Sequence, residues 1–122
     1  MRDIKFRVWY KDTNDLIEKA TIQDIYDNEN VSLDVNNLLF EQFTGLLDKN
    51  GTEIFEGDIV RYKTFVEFDS EKLIFIQGVI RWCERNLAWR IKGRCDNFLS
   101  YVIKDGMEVI GNIHENKLED FV

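Results

Sequence analysis

Apolar and polar residues alternate along most of this chain, and proline is absent. A repeat of two sends successive side chains to opposite sides of an extended backbone. It therefore calls for strands with one covered face and one wet face. Ile4, Phe6, Val8 and Tyr10 alternate with Lys5, Arg7 and Trp9, giving a first strand. Lys11 to Asp15 is a polar turn, and Leu16 to Ala20 returns as a short partner strand. Leu38 to Phe43, Ile59 to Phe68, Leu73 to Trp82, Leu87 to Ile91, Phe98 to Ile103 and Met107 to Ile113 are further strand segments. His114 to Val122 reads as a helical turn or an edge strand. Turn signals separate the strands: Asp48-Lys49-Asn50-Gly51, whose Asn-Gly suits a type I′ hairpin, Glu56-Gly57-Asp58 and Asp105-Gly106. One short helix is expected near Thr21, which reads as its N-cap. Asp24 sits three residues on, and Ile22, Ile25 and Tyr26 share a face. The expected fold is mainly β with one short helix, a small barrel or a strongly bent antiparallel sheet.

No linker, repeat or low-complexity tract divides residues 1–122, a length that fits one domain. No apolar run approaches the roughly 20 residues that cross a bilayer, and the first residues lack a secretory leader pattern. A cytoplasmic protein without membrane contact is therefore expected. Two cysteines, Cys83 and Cys95, are too few for a disulfide scaffold and read as reduced thiols. With His114 they make three scattered metal-ligand candidates, one short of a zinc set, so no metal or cofactor is expected.

The usual catalytic patterns are missing. There is no phosphate-cradling glycine loop. His114-Glu115 opens like a zinc-protease motif, but Leu118 stands where the second histidine belongs. Ser32, Ser70 and Ser100 lie outside nucleophile-elbow contexts. Asp48 to Glu53 echoes a calcium loop but is too short for one, and the hairpin turn explains the same residues. An enzyme built on clustered carboxylates ranks last among the functional readings, behind a binding module.

The distribution of charge says more than the total of −7. Residues 11–58 carry a net −9 and residues 59–104 a net +4, so the chain is polarised. Alternation aims the positive charges. With Val60, Tyr62, Ile80, Trp82, Leu87, Trp89 and Ile91 facing a core, Arg61, Lys63, Arg81, Arg90 and Lys92 face outward. On neighbouring strands they form one basic sheet face with Arg94 near its rim, suited to phosphates. The same phase turns Trp82 and Trp89 inward, so this face offers charge attraction without base stacking. In the first strand the alternation sets Lys5, Arg7 and Trp9 outward. A Trp between two cations on a wet face reads as a protein contact or a subunit interface.

Three segments then resemble one family. Met1 to Trp9, Gln42 to Val60 and Glu108 to Asn116 are similar, in order, to the opening strand, central motif and closing strand of the YopX-like family of phage and prophage proteins. Residues 64–103 match only in strand character, and Lys117 stands where the family often has proline. The resemblance implies a small, intracellular, phage-borne, mostly β protein with no catalytic residues to carry over. Glu56 to Val60 and Gly78 to Ile80 also look like strand entries of SH3-like barrels, a likeness of fold without function. The leading expectation is a non-enzymatic binding or adaptor protein that acts through protein contacts, as a homo-oligomer. The alternative is a nucleic-acid-binding protein that uses the basic sheet face.

Overall fold

A computed structural model describes residues 4–11, 16–21, 38–66, 69–93, 97–103 and 106–116. Nine strands run through these residues: β1 (Lys5–Tyr10), β2 (Leu16–Thr21), β3 (Leu38–Leu47), β4 (Glu53–Phe55), β5 (Asp58–Val66), β6 (Asp69–Cys83), β7 (Ala88–Gly93), β8 (Asn97–Phe98) and β9 (Glu108–Asn112). They form two antiparallel sheets, ordered β2-β1-β3-β4 and β8-β7-β6-β5-β9. The mostly β fold class is as the alternation demands. Among the described residues the sheets do not close into a barrel, which removes the SH3-like alternative.

The main core lies on one face of the five-stranded sheet. Val60 and Tyr62 of β5, Ile76 and Ile80 of β6 and Ile91 of β7 point into it. Ile54, Leu99, Val102 and Met107 cover them. Leu99 and Val102 sit on α1 (Leu99–Val102), a single helical turn where alternation predicts a strand. A four-residue turn puts positions i and i+3 on one side, and here that side caps the core. The expected helix after Thr21 lies outside the described residues, and Thr21 itself ends β2. Among the described residues no helix is long and apolar enough to cross a membrane.

The turn after β3 departs from the type I′ expectation. Gly51 has φ +82, but Asn50 is not left-handed, and a type I′ turn needs positive φ at both central residues. The Asp48 side chain builds the turn instead. Its Oδ1 accepts the Asn50 and Thr52 N–H groups at 2.8 and 2.9 Å, and its Oδ2 accepts Val109 N–H of β9 at 2.9 Å. One carboxylate thus closes the hairpin and ties it to the edge of the second sheet. Burial pushes the Asp48 carboxyl up, but the three backbone donors, with Lys49 nearby, outweigh that and hold it below the usual value of 3.8.

Candidate nucleic-acid interface

The two charged clusters foreseen from the sequence meet opposite fates. On β1, Trp9 is 2% exposed and Arg7 is 6% exposed, so the outward interface of Lys5, Arg7 and Trp9 is not present on the surface. β1 lies inside its sheet, between β2 and β3, and Val8 on its other side is buried too. Arg7 stands directly across from Glu41 of β3. Its Nε donates to Glu41 Oε1 at 2.8 Å, its Nη1 to Asp58 Oδ1 at 2.5 Å and its Nη2 to the Glu56 carbonyl at 3.0 Å. The Trp9 indole donates to the same Glu41 oxygen at 2.7 Å. His114 stacks on Trp9 with ring centroids 4.2 Å apart, and its Nε2 lies 3.2 Å from Glu41 Oε1. Lys5 pairs with Glu53 at 2.7 Å.

Alternation fails here because the covered face of β1 is held by ions rather than by hydrocarbon. A buried guanidinium is tolerable when carboxylates and carbonyls replace its water. Gly57 makes room for the network. Its φ is +84, and a Cβ there would collide with the Glu41 carboxylate. Burial pushes the Asp58 carboxyl above its usual 3.8, and Arg7 and the Phe55 N–H recover only part of that shift. These carboxylates are engaged inside the fold.

On the five-stranded sheet the alternation holds. Arg81 pairs with Arg90, Val79 with both Lys92 and Ile59, Gln77 with Arg61, and Phe75 with Lys63. Arg61, Lys63, Arg81, Arg90 and Lys92 therefore share the face opposite the core. Lys63 and Lys92 are exposed, and the three arginines are half-buried. Among the described residues none of the five makes an ion pair. Those pairs go to Lys5, Arg7 and Lys49. The Nε atoms of Arg61 and Arg90 have no hydrogen-bond partner among the described residues. Arg81 has one acidic neighbour, the half-buried Glu56, whose carboxyl is raised by burial and by Glu41 more than Arg81 lowers it. Arg94 lies outside the described residues.

Two aromatics on this face escaped the sequence reading. Phe75 is 59% exposed, with Lys63 Nζ 5.2 Å from its ring centre. Phe98 sits across from Arg90, whose guanidinium lies 4.9 Å from its ring. The signal was present: Phe75 has the same parity in β6 as Arg81. Trp82 and Trp89 do occupy the core side, opposite each other in register. They sit past the end of the cover, so Trp82 is 42% exposed. With Thr44, Leu46, Leu87 and Leu99 they line a cleft of about 250 Å³. That is below the roughly 300–1,000 Å³ of small-molecule pockets. Cys83, at the end of β6, is a free thiol, and Cys95 lies outside the described residues.

No curated protein matches the chain. Among solved structures it is similar to protein EF1440 from Enterococcus faecalis, with 23% identity, a TM-score of 0.56, and coverage of 93% of this chain and 94% of that one. That likeness is one of fold. The family model described as YopX protein matches residues 5–119, spanning both sheets, the Arg7 network and the basic face. The chain belongs to the YopX family.

Proposed function

We propose that this chain is a non-enzymatic binding module of phage or prophage origin, acting in the bacterial cytoplasm, and that it binds nucleic acid through the outer face of the five-stranded sheet. The observation that carries this reading is the pairing of Arg81 directly across from Arg90. Like charges opposite one another weaken a sheet. Neither arginine has a carboxylate ion-pair partner among the described residues, and three more cations stand on the same face. Polyanionic phosphate turns that repulsion into attraction, and the released counterions drive binding. The acidity of the rest of the chain confines attraction to this face.

The test is fluorescence anisotropy with labelled DNA and RNA oligonucleotides across a salt series. Binding should weaken linearly in log affinity against log salt. The triple variant Arg61→Gln/Arg81→Gln/Arg90→Gln should reduce the slope by about 2–3, at roughly 0.7–0.9 for each phosphate no longer neutralised. No binding at low salt overturns the proposal.

A second reading rests on the net −9 of residues 11–58, which complements the basic face in another copy of the chain. It calls for a homo-oligomer that light scattering sees without nucleic acid, and that salt or the same triple variant dissociates.

A further inference from the structure

We infer that the basic face selects single strands over duplexes, with Phe75 and Phe98 serving as two platforms for unpaired bases. The inference rests on the nucleic-acid reading above and adds the form of the ligand. A duplex offers phosphates but hides the flat faces of its bases. A single strand offers both, and an exposed aromatic ring accepts any base by stacking. Phe75 and Phe98 are 59% and 38% exposed, so neither owes its place to the core. Each ring carries a cation over it, Lys63 Nζ at 5.2 Å and the Arg90 guanidinium at 4.9 Å from the ring centre. A base laid on either ring brings its phosphate to the neighbouring charge.

The spacing also fits a strand. Phe98 is level with Arg90 and Arg81 across three strands, and Phe75 lies six residues along β6 from Arg81. At about 3.3 Å per residue and 4.8 Å per strand, the rings stand roughly 22 Å apart. Lys92 of β7, level with Val79 of β6, lies between them, and Arg81 and Arg61 flank that path on one side, so the backbone of a bound strand passes cations on its way from one platform to the other. Both ends of the face thus present a ring and the middle presents charge. This arrangement follows an extended backbone rather than a compact anion.

Two ligands distinguish this inference from the reading it builds on: a labelled twelve-nucleotide thymidine strand and a twelve-base-pair duplex, each at the same low salt. The unmodified protein should bind the single strand more tightly. Phe75→Ala/Phe98→Ala should lose about tenfold or more on the single strand, keep its duplex affinity and keep its salt slope. Phe75→Leu/Phe98→Leu preserves apolar area without a ring and should behave like the alanine pair. Full single-strand affinity in the alanine pair, or rescue by leucine, overturns the stacking platforms and leaves the charge-driven reading standing. Failure of the unmodified protein to bind either ligand overturns both. Circular dichroism of each variant confirms that the fold survives, as expected for exposed side chains.

Discussion

β1 and the β6–β7 pair share a pattern, since each sets basic side chains at alternate positions, yet one buries them and the other leaves them half-buried or exposed. On β1, Arg7 faces Glu41 across the ladder and reaches Asp58 at the start of β5. On β6, Arg81 faces Arg90. The difference lies in the partner. A strand's alternation says which residues travel together, but not which group turns toward water. Where carboxylates and carbonyls wait opposite, an arginine face can be the inside. Where another arginine waits opposite, the face stays outside and keeps its charge for something else.

The largest effect expected from this contrast is at Arg7. Arg7→Met removes the cation and leaves Glu41 and Asp58 buried without it. Breaking a buried pair from one side costs about 3–5 kcal/mol, a large share of a small domain's stability. Urea unfolding followed by tryptophan fluorescence reads this directly, because Trp9 belongs to the network. The triple variant Arg7→Met/Glu41→Gln/Asp58→Asn should recover much of the loss, since no buried charge is then left unpaired. A loss below about 1 kcal/mol for Arg7→Met, the range of an exposed pair, would mean that the network is incidental.

Asp48 sharpens the contrast within the buried group. It is held by backbone N–H groups from three positions, whereas Asp58 depends on Arg7 as well as on the Phe55 N–H. Asp48→Asn keeps one acceptor oxygen but presents an amide to one of its donors, a cost of about 1–3 kcal/mol. The pH dependence has opposite signs at the two sites. The Asp48 carboxyl is lowered in the fold, so its contribution is present above the unfolded value, near 3.8, and is lost as pH falls through the lower folded value. The Asp58 carboxyl is raised, so its contribution is full below 3.8 and is lost as pH climbs through the higher folded value. The stability gap between the unmodified protein and Asp48→Asn should therefore narrow in acid. A gap that stays constant from about pH 6 to about pH 3 would count against the backbone cage.

Much of the second sheet was legible in the sequence. Strands β5, β7 and β9 appear close to their expected limits, β6 begins earlier than expected, at Asp69 rather than Leu73, and the five cations fall on one face. A hydrocarbon core beneath them keeps burial and alternation in phase. The first sheet was less legible. Nothing local in Lys5-Phe6-Arg7-Val8-Trp9 announces that Glu41 and Asp58, 34 and 51 residues away, will meet Arg7. That information lies in register and in the packing of one sheet's residues against a turn of the other. The turn at Asp48 misled for a related reason: Asn-Gly favours one hairpin in isolation, but a side chain that also holds β9 dictates another. Leu99–Val102 likewise has the composition of a strand and becomes helical because its apolar residues must cap the core.

The smallest expected effect has the opposite sign and so separates the two arginine environments most cleanly. Arg81→Gln removes one of two facing like charges and breaks no ion pair among the described residues, though it takes a nearby cation from the half-buried Glu56. It should leave stability within about 0.5 kcal/mol, on the stabilising side. That gain should shrink as salt screens the Arg81–Arg90 repulsion. Thermal melts at low and high salt would show it as a small rise in midpoint for the variant at low salt only. A destabilisation of about 2 kcal/mol or more, well beyond an ordinary surface substitution, would place Arg81 with Arg7, as a cation the fold needs for itself. Its face would then belong to the folded interior rather than to a surface offered to phosphate.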